Sequence, residues 1–176
     1  MSGFSDTWLI VPCYNEGTVI FDVLTHARET FPNIVGVNDG SADDSAAQIR
    51  AAGAHLVDHP VNLGQGAAIQ TGVEYARKQP GAQYFVTFDA DGQHQEKDVV
   101  RMIERLRTEP LDIIVGTRFA GQETSQVPWI KRAVLKTVVM LSPRTKKLGL
   151  TDAHNGLRAF NRKVAEEMNI RMNGMS

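Results

Sequence analysis

The chain has 176 residues, of which 42% are hydrophobic, and its formal net charge is −1. A chain of this length can bury one sizeable core, so a single domain over residues 1–176 is expected. The near-neutral charge gives no sign of a nucleic-acid partner. The single cysteine, Cys13, excludes an internal disulfide framework and fits a reducing compartment. We find no secretory leader and no apolar run of roughly 18 residues, so a cytoplasmic or membrane-surface protein is expected.

Apolar, strand-like runs alternate with segments of helical period along most of the chain. This alternation is typical of parallel strands joined by crossover helices, which is the α/β class. After residue 118 the pattern is less regular, with a hydrophobic helix predicted near residues 130–141 and a final segment from Thr151. The five predicted strands are WLIVP, NIVGVND, HLVDH, YFVTFDAD and DIIVGTRF.

The segments between these strands predict four helices from the spacing of their apolar residues. Ser41 is predicted to cap the second helix, with Asp43 and Asp44 in its first turn, where the helix dipole favours negative charge. The predicted apolar faces are Val19, Val23, Ala27 and Phe31 in the first helix, Ile69, Val73 and Ala76 in the third, and Val99, Ile103 and Leu106 in the fourth.

Polar side chains follow four of the predicted strands at their carboxyl ends, where ligands bind in open α/β sheets. A single ending of this kind, such as Asp39-Gly40-Ser41, is as often a turn or a helix cap. Four endings at the same edge favour a binding site. They are Asn15 and Glu16 beyond the first strand, Asn38 and Asp39 at the end of the second, Asp89 and Asp91 at the end of the fourth, and Arg118 at the end of the fifth.

Asp89 and Asp91 are the sharpest of these signals. At a spacing of two in a strand their carboxylates point the same way and repel each other unless a cation or a proton neutralises them. Oxygen ligands suit Mg²⁺ or Mn²⁺, and Gln93 or His94 could add a further ligand. The alternative is a simple chain reversal at Asp91-Gly92.

The stretch LGQGAAIQTG begins like a dinucleotide-binding fingerprint, but Ile69 stands at the sixth position and the stretch follows the third strand rather than the first. A nicotinamide cofactor is therefore not expected. Gly64 and Gly66 open a helix, where glycine allows either the approach of a ligand to the backbone or close packing of helix on sheet. Cys13 is interpreted as a small core residue, because no paired base is evident.

The segments VPCYNE, VNDGSADDS, NLGQGAAIQTG, FDADGQH, GTRF and DAHNGLRAF, taken in order, resemble glycosyltransferase family 2. More narrowly, they resemble its polyprenyl-phosphate sugar synthases of the dolichol-phosphate mannosyltransferase type. The resemblance implies a GT-A type, Rossmann-like nucleotide-binding domain, with a mostly parallel central sheet flanked by helices. It divides the chain into a nucleotide-sugar half, about residues 1–118, and an acceptor-side segment, about 119–176. The continuation usual in the family is absent after residue 176, so a C-terminally truncated fold is expected.

The resemblance also implies roles for individual residues. Relatives often carry a lysine where this chain has Gln65, which removes one positive charge expected near the nucleotide. The implied donor-binding residues are Pro12, Tyr14, Glu16, Asp39, Gly66 and Asp89; the implied ligands of Mg²⁺ or Mn²⁺ are Asp89, Asp91 and Gln93; and the implied catalytic residues are Arg118 and Arg132, which would hold an acceptor phosphate, with Asp152 at the position of a catalytic base.

The implied reaction is transfer of a sugar, with inversion, from a UDP- or GDP-sugar to a polyprenyl phosphate. A lipid phosphate is already an anion and needs no strong base, whereas a saccharide hydroxyl would require Asp152 as the base. A fragment that binds the nucleotide sugar without transferring the sugar is a further alternative. The sequence leaves a homodimer open.

Residues 124–151 contain six basic residues and no acids, together with Trp129, Ile130 and the run AVLKTVVML. This composition suits an interfacial helix on anionic lipid, and equally a core helix with a solvated basic end. The family resemblance favours the cytoplasmic face of a membrane.

Two other enzyme classes are weaker fits. Haloacid dehalogenase-like phosphatases also end a strand in DxD, but they use the first acid as a nucleophile, usually in the first strand, whereas Asp89 is in the fourth. Nucleotidyltransferases of similar fold carry a basic phosphate loop near the first strand, which is missing here.

Overall fold

The computed structural model describes residues 3–89, 96–116 and 157–168. Within these ranges the chain forms an α/β domain whose six strands make one sheet, in the order β3-β2-β1-β4-β6-β5. The elements are β1 (Thr7–Cys13), α1 (Ile20–Arg28), β2 (Asn33–Asp39), α2 (Ser45–Ala51), β3 (His55–His59), α3 (Gln65–Arg77), β4 (Tyr84–Thr87), α4 (Glu96–Thr108), β5 (Ile113–Val115), β6 (Arg158–Asn161) and α5 (Arg162–Glu167).

Strands β1 to β4 are parallel, as the alternation of strands and helices predicted. The chain first moves outwards from β1 through β2 to β3, and then crosses back to place β4 on the other side of β1. The strand order therefore reverses between β1 and β4. In open α/β sheets the carboxyl ends of two such strands border the crevice in which ligands bind.

Strand β6 runs antiparallel to both of its neighbours and separates β4 from β5. The sheet is thus mixed, and the sequence patterns did not predict this strand. It has four residues, of which Ala159 and Phe160 are both buried, so it lacks the alternation of apolar and polar residues that marks a longer strand. Phe160 stacks on Phe85 of β4, with 5.9 Å between the ring centroids.

The core lies on both faces of the sheet because successive residues of a strand point to opposite sides. In β1, Leu9 and Val11 pack in one apolar cluster that includes residues of α1, α2 and α4. Trp8 and Ile10 pack in the other cluster, which includes residues of α3. Burial on both faces explains the continuous apolar run of β1.

The apolar faces predicted for the last two crossover helices are largely confirmed. Val73 and Ala76 of α3 are buried, and Ile69 is partly buried. In α4 the buried residues are Val99, Met102, Ile103 and Leu106.

The face predicted for α1 is confirmed except at its first residue, Val19, and it omitted Ile20 and Leu24. The helix begins at Ile20, and its buried residues are Ile20, Leu24 and Ala27. Val19 precedes the helix and is exposed. Ala27 and Phe31 are buried as predicted, and Val23 is partly buried against the same core cluster.

The cap predicted for α2 is also wrong. The helix begins at Ser45, after Asp44, and no side chain caps it; Asp43 and Asp44 precede its first turn. The Ser41 hydroxyl instead accepts a hydrogen bond from the backbone N–H of Asn15 at 3.0 Å. This contact spans 26 residues, and a local capping pattern cannot reveal it.

Strands β4 and β5 are shorter than predicted, although the N–H of Phe88 still donates to the carbonyl of Ile10, one residue beyond β4. The hydrophobic helix expected near residues 130–141 lies outside the described residues, as does Thr151. Within the described part of the chain, no helix is both long and apolar enough to cross a membrane.

Candidate functional site

The loops at the carboxyl ends of β1, β2, β3 and β4 are joined to one another by side-chain hydrogen bonds. We call this edge of the sheet the rim, and define it by residues 12–17, 38–45, 59–66 and 89. The connections run from the β1 loop to the β2 loop, from Asp39 to the loop after β3, and from the start of α3 to Asp89.

The first connection fixes the backbone of the β1 loop. Its three consecutive N–H groups at Asn15, Glu16 and Gly17 donate to Ser41 Oγ, Ser45 Oγ and Asp43 Oδ2 at 3.0, 3.0 and 2.9 Å. In return, the N–H of Ala42 donates to Asn15 Oδ1 at 2.9 Å. Asn15 has a φ of 54°, a left-handed conformation that asparagine tolerates better than most residues. The loop that carries Tyr14 and Glu16 is therefore held by the loop after β2.

Asp43 is central to this connection although its side chain is exposed. The Ser45 hydroxyl and the backbone N–H groups of Gly17 and Ser45 all donate to its carboxylate, and these bonds lower the pKa of Asp43 below its usual value.

Cys13 lies beneath the loop with 2% of its surface exposed, and burial raises the pKa of its thiol. That burial agrees with the interpretation of Cys13 as a core residue.

Asp39, at the end of β2, is 3% exposed and joins the second and third loops. Its Oδ1 accepts from the backbone N–H of Leu63 at 2.9 Å, and its Oδ2 accepts from that of Gly64 at 2.8 Å. The His59 ring provides a third partner, with 2.7 Å between Nδ1 and Oδ1. The Asp39 carboxylate thus has three protein partners, and it fixes the backbone immediately before α3.

His59 was not among the residues predicted from the sequence. Its Nε2 lies 2.9 Å from Thr71 Oγ1 of α3, so both ring nitrogens have protein partners. His59 pairs directly with Asp39 in the register of β2 and β3. The sequence could have indicated His59, because HLVDH ends in a histidine at the carboxyl end of its strand, just as NIVGVND ends in an aspartate.

The first turn of α3 lies between Asp39 and Asp89. Gly64 precedes the helix with a φ of 92°, which favours glycine strongly. The side-chain amide of Gln65 donates to Asp89 Oδ1 at 3.3 Å, and Gly66 is exposed in the first turn. The positive end of the helix dipole therefore faces this part of the rim.

The structure brings together part of the predicted site. Among the described residues, Asp39 and Asp89 flank the start of α3 with Gly66, and the β1 loop beside them carries Tyr14, which is 50% exposed. Pro12 and Glu16 on that loop are half-buried. The remaining predicted residues, Asp91, Gln93, Arg118, Arg132 and Asp152, lie outside the described residues.

Asp89 is the described member of the predicted metal-ligand set. Its carboxylate oxygens are of the type that Mg²⁺ and Mn²⁺ prefer, so this residue fits the expected ion. The residues described here contain no group of three His, Cys, Asp or Glu side chains arranged to hold a metal. The ligand set thus remains a prediction that depends on Asp91 and Gln93.

Comparison with known proteins identifies the family. Residues 8–168 match the model of Glycosyl transferase family 2. The chain belongs to this family. The chain is 28% identical to the UDP-N-acetylglucosamine–dolichyl-phosphate N-acetylglucosaminyltransferase of Methanococcus voltae, covering 89% of this chain and 70% of that protein. It is 27% identical to the polyprenol monophosphomannose synthase of Mycolicibacterium smegmatis, covering 93% of this chain and 64% of that protein.

The fold is also that of solved members of the GT-A type. The glucosyl-3-phosphoglycerate synthase of Mycobacterium tuberculosis, solved with Mg²⁺ and uridine diphosphate, superposes with a TM-score of 0.61 at 19% sequence identity. The match covers 91% of this chain and 57% of that structure. The family 2 assignment and the GT-A type fold predicted from the sequence are therefore confirmed. The chain spans between about half and 70% of the length of its curated relatives.

Proposed function

We propose that this family 2 chain carries the donor site of an inverting, metal-dependent glycosyltransferase that moves a sugar from a UDP- or GDP-sugar to a polyprenyl phosphate. One observation carries the proposal: hydrogen bonds link the β1 loop, Asp39, the start of α3 and Asp89 into one rim, beside the point where the strand order reverses. The names of the relatives support the classes of donor and acceptor.

The nucleoside would lie against the β1 loop and the end of β2. Tyr14 offers an exposed aromatic side chain, and Pro12 and Glu16 flank it on a loop whose backbone is already held. Asp39 accepts three hydrogen bonds from the protein, and a carboxylate has about four acceptor positions. One position, on Oδ2, therefore remains for a donor group of the base or ribose.

The diphosphate would lie near Asp89 and the first turn of α3, with Gly66 allowing the approach of its oxygens to the backbone. Asp89, Asp91 and Gln93 would hold Mg²⁺ or Mn²⁺. A divalent ion at this position neutralises the charge that develops on the leaving diphosphate. The positive end of the α3 dipole acts on the same phosphates in the same sense.

The acceptor would be held on the other side of the sugar by Arg118 and Arg132. For a lipid phosphate these residues position an existing anion, and Asp152 is not required as a base. The basic, apolar segment 124–151 would then rest on the cytoplasmic surface of the membrane that contains the acceptor.

Calorimetric titration with UDP- and GDP-sugars, with Mn²⁺ and then with chelator, tests the donor site. We expect metal-dependent binding of one nucleotide class, and we expect Asp89→Asn and Asp91→Ala to weaken it by at least about tenfold. Asp22→Asn, on the exposed face of α1, is the matched control and should bind as the wild type does.

Donor binding that is unaffected by chelator, or retained in Asp89→Asn, would contradict the metal site. With a donor identified, transfer to polyprenyl phosphate in detergent is compared with transfer to saccharide hydroxyls. Transfer to hydroxyls alone, with loss of activity in Asp152→Asn, would replace the lipid-phosphate acceptor with a saccharide.

A further inference from the structure

His59 is the last residue of β3 and the first rim residue after that strand, and its side chain is 9% exposed. It contacts the Asp39 carboxylate on one side and the Thr71 hydroxyl on the other. We propose that His59 is a positioning residue for the donor site. It fixes Asp39, and Asp39 in turn holds the backbone at Leu63 and Gly64 and thereby the first turn of α3. The expected effect of His59 on the affinity for the nucleotide sugar rests on the proposed function. Its effect on the backbone at Leu63 and Gly64 does not.

The chemistry of the partners determines which ring nitrogen carries the essential hydrogen. Both oxygens of Asp39 accept from backbone N–H groups, so the carboxylate is an acceptor toward His59 as well. Nδ1 of His59 must therefore carry a hydrogen and donate it to Oδ1. In the neutral ring Nε2 accepts from the Thr71 hydroxyl, and in the protonated ring it donates to that oxygen. The Nδ1–H to Asp39 bond is the same in both states.

The segment held by Asp39 packs directly against the end of β2. A Cβ added to Gly40 would lie 2.4 Å from the carbonyl carbon of Val61 and 2.5 Å from the nitrogen of Asn62, so the backbone after β3 passes in contact with Gly40. Two residues further on, the N–H groups of Leu63 and Gly64 bind the two oxygens of Asp39.

The Asp39 carboxylate can accept from the N–H groups of Leu63 and Gly64 together in only one side-chain rotamer. The bond to His59, itself anchored by Thr71 of α3, selects that rotamer. A turn of the carboxylate about its Cα–Cβ or Cβ–Cγ bond would release Leu63 and Gly64 together. The first turn of α3, which follows Gly64, would then lose this connection to β2.

Two substitutions of His59 separate the Nδ1 contact from the size of the side chain. His59→Asn keeps an N–H near the δ position and can still donate to Asp39. His59→Gln moves its amide to the ε position, where it reaches Thr71 but not Asp39. Thr71→Val removes the outer partner, while Thr71→Ser retains the hydroxyl. His55→Gln is the matched control, because His55 on the same strand contacts Tyr75 of α3 and not Asp39.

Amide hydrogen exchange at Leu63 and Gly64 is the first readout, since it requires no ligand. We expect exchange to accelerate at least about tenfold in His59→Gln and Thr71→Val, and to stay near the wild-type rate in His59→Asn, Thr71→Ser and the His55→Gln control. The Kd for the UDP- or GDP-sugar that binds the wild type is the second readout. It should rise about tenfold in the same two variants and change little in the other three.

Equal effects of His59→Asn and His59→Gln on both readouts would overturn the proposal, because they would show that side-chain size rather than the Nδ1 contact matters. Weakened donor binding with unchanged exchange at Leu63 and Gly64 would overturn it too. If His59→Gln does not fold, the Thr71→Val and Thr71→Ser pair makes the same comparison. Failure of the wild type to bind any nucleotide would contradict the proposed function alone, because hydrogen exchange still decides the role of His59.

Discussion

Asp43 is an exposed residue whose carboxylate nevertheless supports the loop that carries Tyr14 and Glu16. Its oxygens accept from the N–H of Gly17 and from both the hydroxyl and the N–H of Ser45, and the Ser45 hydroxyl in turn accepts from the N–H of Glu16. At the residue scale, the geometry of the proposed nucleoside site therefore depends on a side chain that would not contact the nucleotide.

The Asp43→Asn variant should be less stable than the wild type at neutral pH. Asparagine keeps one acceptor oxygen, and its amide nitrogen cannot accept the hydrogen bonds of the other, which come from Gly17 or from Ser45. The folded state lowers the pKa of Asp43, so the carboxylate's contribution is fully present above its unfolded pKa and is lost as the pH falls through the folded value. The stability difference between the two proteins should therefore shrink below about pH 4. Denaturant unfolding at several pH values measures it.

The expected difference is small, because water screens an exposed carboxylate. Asp44→Asn is the control, since that carboxylate binds the side chain of Gln48 on the surface of α2. A stability difference between Asp43→Asn and the wild type that does not change with pH would contradict the role assigned to Asp43.

At the scale of elements, α3 approaches the sheet so closely that one position accepts only glycine. A Cβ at Gly72 would lie 2.4 Å from Cγ2 of Ile10 and 3.2 Å from Cγ2 of Val37. The helix could keep its place only if these two buried strand residues moved. Close packing of helix on sheet is thus the role of this glycine, whereas the exposed Gly66 at the start of the helix is free for the proposed donor contact.

Gly72→Ala should destabilise the protein by about 1–3 kcal/mol, because overpacking outweighs the gain of about 1 kcal/mol in helix propensity. The free energy of unfolding in denaturant measures this change. In an Ile10→Ala background the same substitution should cost less, since the closest atom is then absent. Equal costs in the two backgrounds would show that Ile10 is not the source of the strain.

For the whole molecule, β6 is the element that joins β5 to the rest of the sheet. In the described part of the chain it is the sheet partner of β5, and it pairs with β4 on its other side. The N–H of Arg158 also donates to Thr87 Oγ1, and the N–H of Gly116 donates to the carbonyl of Leu157. Residues distant in sequence therefore complete the sheet beside the strand that leads to Asp89.

Phe160→Ala should destabilise the domain by about 3–5 kcal/mol, because the ring is buried in the apolar cluster that contains Trp8, Ile10 and residues of α3. A double-mutant cycle with Phe85→Ala should give a coupling energy of about 0.5–1.5 kcal/mol for the stacked rings. Equilibrium unfolding of the four proteins measures both values. Strictly additive losses would mean that the rings contribute only through burial.

The sequence by itself determined the four parallel strands, the family and the acidic ends of the rim. Long apolar runs and helical spacing are local signals. Asp39 ends β2 and Asp89 lies two residues beyond β4, so the pattern of the chain was sufficient to select them. The order of the family motifs alone implies the fold type.

Only the tertiary structure decided how these parts connect. The position of β6, the start of α2 and the partnership of His59 with Asp39 depend on contacts between residues about 20 or more positions apart. A strand of four residues or a single histidine carries too little local preference to predict its partner, because the stabilising free energy comes from the element that packs against it. The residues of the rim were therefore predictable, and the hydrogen bonds that hold them in place were not.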